Sequence, residues 1–212
     1  MLSGLARWIE RRPGLHRRVL GIWKMFPPRL AGLLKGQLAR NWIVGAVAVI
    51  VDDDVDPPEV LLVEHSYRSR GAWGLPGGSL ESVPGRPTDP HTQVLPDDVL
   101  EQTLRREVRE ELGIGIEGIS LLRVDAVPYV AEEPGPYRLD FYFRCRPKGG
   151  FAGLRAALAA GEFTPASPEI RDARLVPLPE TGGFDLFSTD ERFLRQDLPR
   201  LMPEIRRSSR AG

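Results

Sequence analysis

The stretch RREVREELGI, residues 105–114, decides how this sequence is interpreted. Six of its ten residues carry charge, and three of these, Glu107, Glu110 and Glu111, are acidic. On a helix each residue turns by about 100°, so the three carboxylates fall within an arc of about 100°. Like charges at this spacing repel each other by about 0.2–0.5 kcal/mol per pair. A positive partner is therefore expected beside the three acids.

The stretch is the second half of a predicted helix, DDVLEQTLRREVREELG, residues 97–113. Asp97 or Asp98 can cap its start, and Gly113 supplies a left-handed stop. An apolar stripe runs along one side and predicts burial against a core. The stripe consists of Val99 or Leu100, Leu104, Val108 and Leu112. The three acids border this stripe, so we expect them to be half-sheltered.

The helix alone leaves two explanations of its acidic face open. The face is a solvated surface, on which pairs such as Glu101 and Arg105 neutralise each other. Alternatively, its clustered oxygen atoms bind a hard cation such as Mg²⁺ or Mn²⁺, which replaces repulsion with coordination. The upstream stretch LPGGSLE, residues 75–81, favours the second explanation. Its two glycines allow the backbone to approach a metal ion or a phosphate closely.

Together, the loop and the helix resemble the signature of the Nudix hydrolase family. The helix half matches the family pattern without exception from Arg106 to Ile114. The loop half matches the family's GGxxE at Gly77, Gly78 and Glu81. This resemblance covers about residues 41–180 of the chain.

The two halves are further apart than the family pattern has them. Nineteen residues, rather than five, separate Gly78 from Asp98, and Asp98 replaces the family's glutamate. We infer a 14-residue insertion, which accounts for the Pro-rich surface loop at residues 82–96. Insertions in surface loops cost little stability. The metal-binding acids lie downstream, so the replacement at Asp98 affects only a structural contact.

The resemblance implies an α+β fold, an α/β/α sandwich with a mixed β-sheet between helices. The β-branched texture of the chain agrees with it, because strands are predicted on both sides of the helix. The main ones are NWIVGAVAVIV (41–51), VLLVEH (60–65), YRLDFYFRCRP (137–147) and EIRDARLVPL (169–178). A closing helix is predicted at residues 190–202, with a frayed tail at 206–212. The Nudix domain is expected to span residues 41–207.

The resemblance also implies a chemistry: Mg²⁺- or Mn²⁺-dependent hydrolysis of a nucleoside diphosphate linked to another moiety. The alternative is a catalytically weak Nudix module that binds nucleotides or regulates. The implied metal ligands are the Gly77 carbonyl, Glu107, Glu110 and Glu111, and the proton acceptor is Glu107 or Glu169. Arg106, Gly78 and Glu81 are implied to orient these groups. The substrate itself is not predicted by any accessory motif.

Three further residues are candidates for substrate contact. Arg68 and Arg70 either meet phosphate or belong to a solvated loop. Trp73 either packs in the core or borders the pocket and stacks on a base. For each residue both interpretations remain open from the sequence.

Residues 1–40 have a different composition and are expected to form a basic helical extension. Nine Lys or Arg residues against one Glu give this segment a charge of +8, while the whole chain has a net charge of zero. The extension packs on the acidic domain or in a homodimer, lies on an anionic membrane or nucleic acid, or acts as a targeting peptide. The single Cys145 and the absence of a long apolar run favour a cytoplasmic protein.

Overall fold

The computed structural model describes residues 42–66, 71–80, 98–127 and 137–211. The chain divides into two units, Met1–Trp42 with Tyr129–Tyr137, and Ile43–Pro128 with Arg138–Gly212. The predicted extension, residues 1–40, and the predicted inserted loop, residues 82–96, lie outside the described residues. The domain boundaries inferred from the sequence stay predictions.

The structure contains the four main strands and the two helices that the sequence predicts from residue 41 onward. In the described part, the strands are β1 (Trp42–Asp52), β2 (Glu59–His65), β3 (Ala72–Gly74), β4 (Gly77–Ser79), β5 (Ile116–Val127), β6 (Tyr137–Pro147), β7 (Ile170–Pro177) and β8 (Asp185–Leu186). The α-helices are α1 (Val99–Leu112), α2 (Phe151–Ala160), α3 (Ser188–Arg192) and α4 (Leu198–Ala211). A 3-10 turn at Leu178–Gly183 and a π-helical turn at Phe193–Asp197 complete the path.

The strands form a mixed sheet in the order β5-β6-β1-β2-β3-β8, with β4 paired to β1 and β7 paired to β2. β2 is antiparallel to β1, β3 and β7, whereas β3 and β8 are parallel. The mixed sheet implied by the resemblance is therefore confirmed. β8 was not predicted, because two residues are too few to show the alternation that identifies a strand.

Helices cover both faces of this sheet, which explains why β1 is apolar at nearly every position. Its alternate side chains enter two separate cores, Ala46, Ala48 and Ile50 on one face and Val47, Val49 and Val51 on the other. Leu104 and Val108 of α1 and Leu154 of α2 pack in the first core. Leu198 and Ile205 of α4 pack in the second. The chain thus forms the predicted α/β/α sandwich.

The helix predicted at residues 97–113 is α1. It ends at Gly113, which has a φ of 72° and donates its amide to the Arg109 carbonyl at 2.9 Å. At the other end, Asp98 makes no side-chain cap hydrogen bond to the backbone. Its Oδ1 accepts instead from the Gln102 side chain at 2.8 Å. The helix and its stop are confirmed, whereas the expected capping contact of Asp98 is not formed.

The closing helix is longer than the sequence suggests. Helical structure runs from Ser188 to Ala211 through the π-helical turn. Residues 206–211, which the sequence predicts as part of a frayed tail, continue the helix, and Met202 and Ile205 anchor the turn before them to the core. In the described residues no helix is both long enough and apolar enough to cross a membrane.

Candidate metal and catalytic site

The glycine loop, residues 75–80 with β4 at its centre, lies alongside β1. Gly77 pairs with Val47 and Gly78 with Ala46 in an antiparallel register. Gly77 has a φ of 145°, and a Cβ at this position would overlap the Ala46 carbonyl oxygen. A Cβ on Gly78 would overlap the Glu107 carboxylate. Both glycines are therefore needed, the first for the backbone and the second to admit an acid of α1.

Glu111 is the most buried of the three clustered acids Glu107, Glu110 and Glu111, with 5% of its surface exposed. Its Oε2 accepts a hydrogen bond from the Gly77 amide at 3.0 Å. Burial raises the pKa of Glu111 from 4.5 to about 8. The Gly77 hydrogen bond opposes this rise, and the charges of Glu107 and Glu169 add to it. Because burial disfavours the ionised form, this carboxyl requires positive charge nearby to ionise fully at neutral pH.

Arg106 is the positive partner that the charged stretch requires. Its Nη2 contacts Glu107 Oε1 at 2.5 Å, and its Nη1 contacts Glu110 Oε2 at 2.7 Å. The Glu107 side chain is 15% exposed and the Glu110 side chain 57% exposed. Arg106 thus orients two of the three acids by charge-assisted hydrogen bonds. This geometry agrees with the orienting role expected of Arg106.

Glu169 lies in the loop between α2 and β7, the 162–169 loop, and its side chain is exposed. Two main-chain contacts attach this loop to the end of α1, because the amides of Ala166 and Ser167 donate to the Glu111 carbonyl at 3.0 and 3.3 Å. The Glu169 carbonyl accepts from the Ser66 amide at 2.6 Å. The negative charge of Glu169 contributes to the raised pKa of Glu111. The fold therefore brings together two acids that are far apart in the sequence.

The donor set suits a hard divalent cation. Mg²⁺ and Mn²⁺ prefer carboxylate and carbonyl oxygens, and Glu107 and Glu169 place negative charge near the buried Glu111 carboxyl. Glu107 and Glu110, however, point to Arg106. Accordingly, the described ranges contain no group of three or more His, Cys, Asp or Glu side chains placed to hold a metal. A cation bound by Glu107 and Glu110 would compete with Arg106 for the charge of these carboxylates.

The other residues singled out from the sequence have different positions. Glu81, Arg68 and Arg70 lie outside the described residues. Trp73 is 7% exposed and packs in the core, with Phe184 edge-on at 5.2 Å and the Arg174 guanidinium 5.0 Å from its ring centroid. This burial agrees with the core interpretation, and a contact of Trp73 with substrate stays a prediction.

The sequence reasoning missed the residues that join the 162–169 loop to β2. Arg171 donates from Nη2 to the Ser66 carbonyl at 2.8 Å and pairs through Nη1 with Glu64 at 3.4 Å. Glu64 is 107 positions away from Arg171 in the chain. No local pattern signals a contact at that separation. The same Ser66 donates its amide to the Glu169 carbonyl.

Comparisons with known proteins show which family the chain resembles. Residues 42–196 match the family model described as NUDIX domain. Human 8-oxo-dGDP phosphatase NUDT18 is 33% identical over 115 residues, which are 54% of this chain and 28% of that protein. The zebrafish (Danio rerio) protein of the same name is 34% identical over 110 residues, 51% of this chain and 26% of that protein. The matched segment thus spans less than a third of the length of these relatives.

A solved structure supports the fold. The NUDIX domain of Shewanella oneidensis NrtR, crystallised with ADP ribose, superposes with a TM-score of 0.51. The superposition covers 84% of this chain and 95% of that chain, at 17% sequence identity. At this level of identity the likeness concerns the fold alone.

Proposed function

Because the chain belongs to the Nudix hydrolase family, we propose that it is a pyrophosphohydrolase that cleaves a nucleoside diphosphate linked to another moiety. The observation that supports this proposal most is the environment of Glu111. A buried carboxyl near two further acids is costly to ionise, and the Gly77 amide offsets that cost only in part, so a bound cation would stabilise the ionised form further. A divalent cation would stabilise the clustered acids, and it would also bind the diphosphate substrate that membership of the family implies.

Glu107, Glu110 and Glu111 would hold the Mg²⁺ or Mn²⁺, with the Gly77 carbonyl as a further oxygen donor. When bound, the ion neutralises charge on the diphosphate and lowers the pKa of a water molecule that attacks phosphorus. The Gly77 amide keeps Glu111 directed to the glycine loop. Gly78 leaves room for Glu107 beside the same loop.

We assign the proton-accepting role to Glu169, in preference to Glu107. Glu169 is exposed and lies close enough to Glu111 for its charge to affect the Glu111 pKa. Glu107 is engaged by Arg106 and is implied as a metal ligand. A carboxylate that accepts a proton from water must be reachable by that water, directly or through one other molecule. The exposed acid satisfies this requirement better.

The relatives suggest where to search for the substrate. Their names point to oxidised deoxynucleoside diphosphates, and the superposed NrtR domain was crystallised with ADP ribose. Both molecules contain two linked phosphoryl groups attached to a nucleoside. We propose this shared chemistry as the substrate class.

A panel of compounds tests the proposal. The full-length chain is incubated with 8-oxo-dGDP, ADP-ribose, nucleotide sugars, dinucleoside polyphosphates and nucleoside triphosphates, with Mg²⁺, with Mn²⁺ and with EDTA. We expect cleavage of at least one diphosphate with a divalent cation and no cleavage with EDTA. The cleavage rate of Glu110→Gln should be lower by about 10²-fold or more, since Glu110 would hold the ion that stabilises charge in the transition state. Glu117→Gln, the same change at an exposed position on β5, is the matched control.

The alternative, a Nudix module that binds nucleotides without turnover, predicts a different result. Its nucleotide binding persists although no compound is cleaved. The pairing of Arg106 with Glu107 and Glu110 is the observation that favours it. An unchanged cleavage rate in Glu110→Gln would remove the proposed metal mechanism.

A further inference from the structure

We propose that Arg171 is a positioning residue that fixes the 162–169 loop to the end of β2 and thereby holds the Glu169 carboxylate beside Glu111. The proposal rests on the proposed function, in which Glu169 accepts the proton. Arg171 itself is assigned no contact with substrate or metal.

The backbone geometry around Arg171 is the first observation. β2 and β7 pair residue by residue from Glu59 to Glu64, where Glu64 faces Asp172. The next pair is His65 with Ile170, so the register shifts and Arg171 has no partner across the ladder. An extra residue of this kind forms a β-bulge, and bulges commonly redirect a side chain beside a functional site.

The contacts of the redirected side chain are the second observation. The Arg171 guanidinium donates to the Ser66 carbonyl at 2.8 Å, while the Ser66 amide donates to the Glu169 carbonyl at 2.6 Å. Both main-chain polar groups of Ser66 are therefore used by residues 169 and 171. The side chain of Arg171 supplies a hydrogen bond where the ladder is interrupted.

The Glu64 carboxylate strengthens this arrangement. Its Oε1 accepts from the Gly71 amide at 2.8 Å and pairs with Arg171 Nη1 at 3.4 Å. The Glu64 side chain is only 15% exposed, so water competes less for its oxygen atoms. We call Glu64, Ser66, Gly71, Glu169 and Arg171 the bulge clamp. Its members lie on both sides of residues 67–70 and include Glu169, the proposed proton acceptor.

The other side of the 162–169 loop is already fixed, because Ala166 and Ser167 donate to the Glu111 carbonyl. Loss of Arg171 therefore leaves those two contacts in place and weakens only the attachment at Glu169, where the hydrogen bond from the Ser66 amide loses the support of the Arg171 side chain. A displacement of about 1 Å at a reacting group lowers rates by up to about 10²-fold. For this partial release we expect kcat to fall by about tenfold with little change in KM, since KM depends on substrate contacts that Arg171 does not make.

Amide hydrogen exchange tests the clamp whether or not the protein is active. Peptides covering residues 62–71 and 162–170 are compared in the full-length wild type, Arg171→Gln and Arg146→Gln. Arg146 is a matched control, a strand arginine of similar exposure that pairs with Asp54 away from the clamp. We expect exchange at Ser66 to accelerate by about fivefold or more in Arg171→Gln only, as local opening becomes easier. Equal exchange in all three proteins would overturn the proposal.

A double-mutant cycle tests the route of the effect. If Arg171 acts through Glu169, Arg171→Gln lowers kcat about tenfold in the wild type and leaves it unchanged in the Glu169→Gln background. An undiminished effect in that background would overturn the proposal. Should Arg171→Gln fail to fold, Glu64→Gln replaces it, because it removes the charge and retains an oxygen acceptor. A wild type that cleaves no compound refutes the proposed function, and the exchange result then decides the clamp by itself.

Discussion

Glu111→Gln should remove a dependence of stability on pH that the metal-free protein otherwise has. The pKa of Glu111 is about 8 in the folded chain and 4.5 in the reference state. The folded chain therefore binds this proton more tightly than the unfolded chain does. As pH rises from 4.5 to 8, the unfolded state loses its proton first, and the free energy of unfolding falls. Glutamine keeps an oxygen acceptor for the Gly77 amide and does not titrate.

The size of the effect follows from these pKa values. At about 1.4 kcal/mol per pKa unit, ionising Glu111 costs the fold about 5 kcal/mol once pH is well above 8. Between pH 5 and pH 8, the stability of Glu111→Gln relative to the wild type should rise by about 3–4 kcal/mol. A constant effect of the substitution cancels in this comparison, because it is the same at both pH values.

Urea unfolding in EDTA at pH 5, 6, 7 and 8 measures the difference directly. The free energy of unfolding of Glu117→Gln, plotted against pH, should run parallel to that of the wild type, since Glu117 is exposed. Addition of Mn²⁺ at pH 8 should stabilise the wild type and not Glu111→Gln, because a ligand that binds only the folded state stabilises it. Parallel wild-type and Glu111→Gln curves across this pH range would refute the reasoning about the buried carboxyl.

Three further predictions concern single residues. Gly78→Ala should lower activity by about tenfold or more while the protein remains folded by circular dichroism, because the new Cβ displaces the Glu107 carboxylate; wild-type activity would contradict this. Burial raises the pKa of Cys145 to about 12, so this thiol should resist iodoacetamide at pH 8 until urea unfolds the chain. Rapid labelling of the native protein would contradict this expectation. Arg144→Met should cost about 3–5 kcal/mol in urea unfolding, since it removes the ion pair to the buried Asp53 carboxylate; a loss below about 1 kcal/mol would count against that pair.

The local features of the site follow from the sequence, because they depend on spacing along one helix. The helical wheel puts all three acids beside the apolar stripe, and the expectation that they are half-sheltered holds only for Glu107. Glu111 is buried and the Glu110 side chain is 57% exposed, because the depth of each acid depends on how the glycine loop packs against α1. The glycine stop at Gly113 follows equally from local chemistry.

The remaining features depend on contacts between distant segments. The Ser66 amide donates to the Glu169 carbonyl, and only the paired β2 and β7 bring these residues together. The β-bulge at Arg171 depends on a register shift that neither strand reveals alone. The helix alone also leaves open whether Arg106 or a cation is the partner of Glu107 and Glu110, since both satisfy the same charges.

Binding of Mn²⁺ to the full-length chain, followed by electron paramagnetic resonance, tests the central claim most directly. Free Mn²⁺ gives a strong six-line signal that weakens when the ion is bound. The wild type and Glu117→Gln should bind Mn²⁺ at pH 7.5 through Glu107, Glu110 and Glu111. Glu111→Gln should bind it about 10²-fold more weakly, as loss of a ligand predicts. Equal Mn²⁺ affinity in wild type and Glu111→Gln would contradict the account.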